Sequence, residues 1–160
     1  MSKIDRNLFL RCDMNIEDSI LRLNRLLANS FVLYIKLHRY SWYVKGTEQS
    51  AIASICRSEL NVWKEYIDQI VQLIQLLGGQ PYATMIKYVK EATLAEATAD
   101  DEVSEMLEQL MDDTTSLLKE VDDIIQEKHH DQKGRIICHT LVPIEHHLFQ
   151  LQQTCKNYLK

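Results

Sequence analysis

The sequence predicts an all-α protein, a bundle of four long helices in which a long crossover joins the second helix to the third. Apolar residues recur every three or four positions over four long segments of the chain. Glycine and proline are scarce, with 4 and 2 residues among 160, which suits long helices with few turns. The connections are short except between the second and third segments, and this order is typical of a four-helix bundle with one crossover.

Length and composition favour one domain built around one hydrophobic core. No apolar run approaches the ~18–20 residues needed to span a bilayer. Polar and acidic residues interrupt the apolar patch near the amino terminus, so a signal peptide is not expected. We therefore expect a cytoplasmic protein without a membrane partner. The net charge of −5 argues against a surface that binds nucleic acid as a whole, although a local basic arm is compatible with it.

The first long helix is predicted to begin at Asn15, a suitable capping residue, and to end at Gly46, a suitable left-handed terminator. Residues 1–14 lack sustained periodicity and are interpreted as a tail, which leaves 15–160 for the bundle. Nearly every residue from 31 to 37 is apolar, so this helix is expected to pack in its own core and against another subunit. One face of the helix is apolar or aromatic along its length: Ile20, Leu23, Leu27, Phe31, Tyr34, His38 and Trp42.

The other elements follow from the same periodicity and from strong stop signals. Gly78-Gly79-Gln80-Pro81 is expected to end the second helix, because glycine supplies a positive φ and proline cannot continue a helix. Pro143 predicts a kink in the fourth helix or a later start. The remaining predicted elements are a second helix over about 50–77, a short amphipathic helix around Met85, Tyr88 and Val89 in the crossover 82–98, a third helix over about 101–128 and a fourth over about 133–158.

The four cysteines do not predict a zinc site or a redox motif, because no two of them form a Cys-x-x-Cys pair. We interpret Cys56, Cys138 and Cys155 as small buried hydrophobes. Cys12 lies in the predicted tail, where an exposed thiol is the alternative.

Two segments resemble the Dps family, the twelve-subunit mini-ferritins. They are Leu-His-Arg-Tyr-Ser-Trp-Tyr-Val-Lys-Gly at 37–46 and Leu-Gly-Gly-Gln-Pro-Tyr-Ala-Thr-Met at 77–85. Their separation fits the family without a gap, and the resemblance covers about 20–158. It implies a ferritin-like four-helix bundle with a short extra helix in the crossover. It also implies a homo-oligomeric cage, a dodecamer, that oxidises Fe(II) at a site shared across a two-fold interface.

The resemblance implies an iron site in which one subunit supplies two histidines and the other supplies Asp-x-x-x-Glu, whose spacing puts both carboxylates on one helix face. In register, the histidine positions fall on Ser41 and Ala53, and the carboxylate positions fall on Asp68 and Gln72. Only Asp68 keeps the family's ligand. The sequence therefore predicts a degenerate ferroxidase site at which iron binding is at most residual.

A relocated metal site is the alternative to a lost one. His38 lies one turn before Ser41 on the same helix face, and Glu65 lies three residues before Asp68. A single histidine on an apolar stripe is more often a hydrogen-bonded core or interface residue, and a helix glutamate is more often solvated. We therefore prefer the structural interpretation of both.

The resemblance further implies that the connection between the third and fourth helices lines three-fold pores. The residues at those positions are His129, His130, Asp131 and Arg135. Lys128, Lys133 and Arg135 weaken any field that would attract cations. Glu127-x-x-His130 has the ferritin Glu-x-x-His spacing, but it lies at a helix end, where pore lining or a solvated cluster is the preferred interpretation. Glu145-His146-His147 is interpreted as structural.

DNA binding is predicted through the basic amino terminus. Residues 1–11 contain Lys3, Arg6 and Arg11 against Asp5, a net charge of 3 − 1 = +2. Twelve such segments on one cage would act multivalently, and binding would be non-specific and sensitive to salt. The apolar residues among them could instead pack the segment down.

These observations favour a Dps-like dodecameric cage that associates with DNA, and hence with the nucleoid, under starvation or oxidative stress. The usual ferroxidase ligands would be largely lost. Two alternatives are kept. One is an iron-storing enzyme that oxidises Fe(II) at Asp68 and His38 with Glu65. The other is a structural partner that assembles together with an active paralogue.

Overall fold

The computed structural model describes the backbone of residues 3–97, 102–127 and 131–160, and the side chains of these ranges from Ile16 onward. Within them every element is a helix, apart from a single bridge between Lys45 and Glu102. The helices are α1 (Lys3–Tyr43), α2 (Gln49–Leu76), α3 (Met85–Glu91), α4 (Val103–Gln126) and α5 (Gln132–Tyr158). The predicted class, four long helices with a short helix in the crossover, is confirmed.

The helix start predicted at Asn15 is wrong, because α1 begins at Lys3 and passes through Asn15. Apolar residues recur every four positions at Ile4, Leu8 and Cys12, but the neighbouring Phe9 and Leu10 obscure that period in the sequence. The segment predicted as a tail is thus helical from residue 3, and its role in DNA binding stays a prediction. No described helix has a stretch long and apolar enough to cross a membrane.

Leucine, isoleucine and aromatic side chains at helical spacing form the core between α1, α2, α4 and α5. Trp63 of α2 and Tyr40 of α1 are the largest side chains that are fully buried. Trp42, the last residue of the apolar face of α1, is 69% exposed, so this face does not enter the core along its whole length. Fully buried members of the core include Leu23, Leu26, Leu37, Ile70, Leu117, Leu141 and Leu148.

Two glycines with positive φ lie directly after the ends of α1 and α2. Gly46 follows α1 with φ +106°, and Gly78 follows α2 with φ +85°, so both sit in the left-handed region that glycine tolerates best. Gly79 lies against α1, since a Cβ on it would meet Ile20 Cγ2 at 2.6 Å. α5 runs through Pro143 from Gln132, so the predicted later start is wrong.

Two asparagines of α1 hold the crossover. The Asn24 side chain accepts from the backbone N–H of Tyr82 at 2.8 Å and donates to the Gln80 carbonyl at 3.1 Å. The Asn29 Oδ1 accepts from the backbone N–H of Thr93 at 2.8 Å and of Leu94 at 3.1 Å. Extended segments that lack helix or sheet partners thus obtain their backbone hydrogen bonds from side chains.

Candidate functional site

The two positions predicted to correspond to the family's histidines lie in α1 and α2, and their side chains cannot replace imidazole. Ser41 and Ala53 are each 8% exposed. The Ser41 hydroxyl donates to the His38 carbonyl at 2.8 Å, so its proton is used within its own helix. Ala53 has no side-chain donor atom for a metal.

The two positions predicted for the family's carboxylates lie on the exposed side of α2. Asp68 and Gln72 are one turn apart, and both are exposed. Gln72 offers a carbonyl oxygen without the charge that would neutralise a metal ion. Glu65 is also exposed, one turn before Asp68. A single chain therefore presents two carboxylates and one amide along this face of α2.

His38 is held among aromatic rings. Its ring packs edge-on against Tyr34, with centroids 4.8 Å apart, and tilted against Trp42 at 5.1 Å. The side chain is half-buried. These contacts are typical of a histidine that packs against neighbouring aromatic rings. Over the described side chains, no group of three or more His, Cys, Asp or Glu residues could hold a metal ion.

The histidine-containing stretch of α5 makes a contact that the sequence did not reveal. His147 Nε2 lies 2.7 Å from Glu59 Oε2 of α2, and Tyr66 packs edge-on against the His147 ring at 5.5 Å. Glu59 was missed because its partner is 88 residues away, and no local pattern indicates such a pair. The contact ties α5 to α2, as the structural interpretation of Glu145-His146-His147 requires, while His146 is exposed.

Two buried cysteines, Cys56 and Cys155, lie within electrostatic range of Glu59. Burial, assisted by the negative charge of Glu59, raises the pKa of the Cys56 thiol to about 12 and that of Cys155 to about 11. Both therefore remain protonated near neutral pH and act as small hydrophobes. Cys56 and Cys155 are buried and Cys138 is half-buried, and each is a free thiol, whereas the Cys12 side chain lies outside the described part.

The residues predicted to line a pore divide into two groups. His129 and His130 lie outside the described residues. Asp131 caps α5, where its carboxylate accepts from the backbone N–H of Gly134 at 2.9 Å. Arg135 is exposed on the first turn of the same helix. Glu127, the first residue of the Glu-x-x-His spacing, instead contacts Arg22 at 2.6 Å.

Two exposed apolar surfaces lie on different sides of the bundle. The α1–α3 surface consists of Ile35, Met85, Ile86 and Val89, which are 53–82% exposed. All of them except Ile86 line a recess of about 280 Å³. The α5 surface consists of Val142 and Phe149, which are 46% and 54% exposed. Exposed apolar patches of this kind are typical of protein–protein contacts.

A family model described as a ferritin-like domain matches residues 20–153. General stress protein 20U of Bacillus subtilis is 32% identical over 105 residues, which cover 66% of this chain and 72% of that protein. A DNA protection during starvation protein of Brevibacillus brevis is 28% identical over 133 residues, which cover 81% of this chain and 89% of the relative.

Solved structures show the same fold. The crystal structure of a Dps protein from Bacillus brevis superposes with a TM-score of 0.86 at 24% identity, over 92% of this chain and 98% of that one. A Vibrio cholerae Dps protein, described as a member of a broad superfamily of ferritin-like diiron-carboxylate proteins, gives a TM-score of 0.85 at 21% identity. It covers 92% of each chain.

Proposed function

Because this chain belongs to the Dps family of ferritin-like proteins, we propose that it builds a dodecameric shell that associates with DNA and whose ferroxidase site has been lost. The loss of the ferroxidase site is inferred from the residues at the two positions predicted for histidines. Ser41 uses its hydroxyl within α1, and Ala53 has no ligand atom.

The residues at the four positions do not fit iron. Non-haem iron is typically held by imidazole together with carboxylate. Across a two-fold interface this chain would offer one carboxylate, one amide and no imidazole at the corresponding positions. His38 is one turn away, but its ring is packed between Tyr34 and Trp42. Iron oxidation is therefore not expected at these four positions.

The shell is supported by the two apolar surfaces. A closed cage of identical subunits needs at least two different contacts per subunit, because a single kind of contact closes only a dimer or a ring. The α1–α3 surface and the α5 surface supply two separate apolar patches. A structure from Bacteroides fragilis with a TM-score of 0.83 and 17% identity is described as a dodecameric thioferritin, so a bundle of this shape is compatible with such an assembly.

DNA association is supported by charge and by the names of relatives. Relatives from Brevibacillus brevis and Bacillus anthracis, each 28% identical, are named DNA protection during starvation proteins. In this chain the basic residues Lys3, Arg6 and Arg11 begin α1. An acidic protein with basic segments repeated around a shell would bind duplex DNA by phosphate contacts, without sequence preference.

Iron oxidation tests the proposal directly. Purified wild-type protein is compared with a protein-free blank and with the variant Ser41→His/Ala53→His/Gln72→Glu, with oxygen and separately with peroxide. The wild type is expected to match the blank and to retain no iron after gel filtration, whereas the variant oxidises Fe(II) above the blank. Both cages must first have a mass of about twelve times the 18.7 kDa chain.

A wild-type rate well above the blank would overturn the proposed loss. If that rate disappeared in Asp68→Ala, the chain would be an enzyme with relocated ligands. Cages of mixed composition after expression with an active paralogue would instead support the structural-partner alternative.

A further inference from the structure

Polar contacts between α1 and α4 recur at regular intervals along both helices. Each step of seven residues up α1 is matched by a step of seven residues down α4, so the two helices are antiparallel, and the last contact follows after a step of four. The contacts, here called the polar ladder, are Arg22–Glu127 at 2.6 Å, Asn29–Glu120 at 2.8 Å, Lys36–Asp113 at 2.7 Å and Tyr40–Gln109 at 2.7 Å.

The apolar residues of the same two helices repeat at the same interval of seven. A slide of α4 along α1 by one heptad, about 10 Å, would put Leu117 at the level that Leu110 or Ile124 occupies now. Burial of apolar residues therefore does not by itself distinguish the observed register from a register one heptad away. The buried residues at this spacing are Leu26, Leu33 and Tyr40 on α1 and Leu110, Leu117 and Ile124 on α4.

The buried charges of the polar ladder do distinguish these registers. Lys36 and Asp113 are both buried. A slide of one heptad in one direction would place Lys36 opposite Met106, and a slide in the other direction would place Asp113 opposite Tyr43. Either slide leaves a buried charge without an opposite charge, which is strongly unfavourable. Of the three registers, only the observed one pairs both charges.

We propose that the polar ladder is a register lock, which holds the α1–α2 hairpin and the α4–α5 hairpin at one relative height. Buried polar pairs have this role in coiled coils, where they fix the register at a cost in stability. The α1–α3 surface moves with the first hairpin and the α5 surface with the second. A slide of one heptad would shift the two surfaces by about 10 Å, so the shell proposed above could not close. This consequence rests on the proposed shell, whereas the register lock itself does not.

Variants that remove the buried charges without leaving one of them unpaired test the register lock. Lys36→Met/Asp113→Leu/Glu120→Leu removes two contacts of the ladder and keeps the bond from Asn29 to Thr93. Lys36→Met/Asp113→Leu removes only the buried ion pair and gives a milder change, in case the triple variant does not fold. The matched control Leu33→Met/Leu117→Met alters two buried residues of the same helices and keeps every polar contact.

The measurement is the distance between spin labels on Glu17→Cys and Ser116→Cys, two exposed positions of α1 and α4. Cys12 and Cys138 are replaced by serine, and labelled chains are diluted with unlabelled ones, so that distances within one chain are observed. Wild type and control are expected to give one distance. The triple variant is expected to give a second distance that differs by about 10 Å, the length of one heptad, and the double variant a smaller fraction of it.

The outcomes separate the register lock from the shell. One unchanged distance in both ladder variants overturns the lock, and a second distance in the control overturns it as well. A wild-type protein that forms no shell overturns the proposed shell, while the spin-label distances still test the lock within the single chain. A ladder variant that has the second distance and nevertheless forms shells of uniform wild-type mass supports the lock and overturns its role in shell closure.

Discussion

Lys36 of α1 donates to Asp113 of α4 across 2.7 Å, and their side chains are only 4% and 9% exposed. Burial raises the pKa of Asp113, while the hydrogen bond and charge of Lys36 oppose that rise. Lys36 also borders the recess of the α1–α3 surface. The pair therefore fixes α1 against α4 directly beneath one of the two apolar surfaces proposed for assembly.

Removing one partner of this pair is expected to destabilise the fold strongly. Asp113→Ala leaves a buried ammonium without its carboxylate, and such changes cost about 3–5 kcal/mol. Lys36→Met/Asp113→Leu removes both charges and fills similar volume, so it should recover most of that loss. Denaturant unfolding of the three proteins measures the difference, and a double variant no more stable than Asp113→Ala would contradict this account.

Asn29 is expected to matter more than Asn24. Asn29 accepts from two crossover amides, one of them at buried Leu94, and donates to Glu120 of α4 at 2.8 Å. Asn29→Ala leaves these groups without a partner and should lower the free energy of unfolding by about 2–3 kcal/mol. Asn24 makes two hydrogen bonds to the crossover, and both are part-buried. Asn24→Ala serves as the comparison and should lower the free energy of unfolding less. Equal losses would show that burial of the bonded groups does not set the cost.

Glu120 is expected to make the stability depend on pH. Burial raises the pKa of Glu120 above its ordinary value of 4.5, although Asn29 and Arg25 oppose the rise. The folded protein then holds this proton more tightly than the unfolded chain, so the free energy of unfolding falls as pH rises from 4.5 through the raised pKa. Glu120→Gln keeps an acceptor for Asn29 and should remove this fall.

The check is a series of denaturant titrations of wild type and Glu120→Gln from pH 4 to pH 7. The stability of the variant relative to wild type should increase across the series. A constant difference would mean that Glu120 titrates alike in the folded and unfolded protein.

The two glycines after α2 are expected to respond to alanine for different reasons. A Cβ on Gly79 would meet Ile20 Cγ2 at 2.6 Å, whereas nothing lies within 4 Å of a Cβ on Gly78. Gly79→Ala should therefore destabilise by about 1–3 kcal/mol through overpacking, and Ile20→Val should relieve part of that in the double variant. Gly78→Ala should cost about 1–2 kcal/mol, because alanine disfavours φ +85°, and Ile20→Val should leave that cost unchanged.

Sequence periodicity located α2, the short crossover helix, α4 and α5 well, because their apolar residues recur at helical spacing and α2 ends at a strong stop signal. It failed at the beginning of α1, where polar residues interrupt the apolar period and the helix extends past its neighbours. It also did not show that Trp42 is exposed, since a helix that is apolar on several sides does not reveal which side faces its own core.

The resemblance predicts that Ser41, Ala53, Asp68 and Gln72 occupy the ligand positions, and this register stays a prediction. The contacts of these side chains could not be predicted from the sequence. The bond from the Ser41 hydroxyl to the His38 carbonyl and the aromatic contacts of His38 depend on geometry. The Lys36–Asp113 pair spans 77 residues, and no periodicity within either helix indicates a charged partner in the other.

The attachment of the crossover to α1 also has a kinetic consequence. The bonds made by Asn24 and Asn29 join residues 56 to 65 positions apart, whereas only a short turn separates α1 from α2. Closing the longer loops costs more chain entropy, and the crossover can dock only after α1 has formed. We expect the α1–α2 hairpin to form early and the crossover to dock late, so Asn29→Ala should mainly accelerate unfolding and leave the folding rate nearly unchanged.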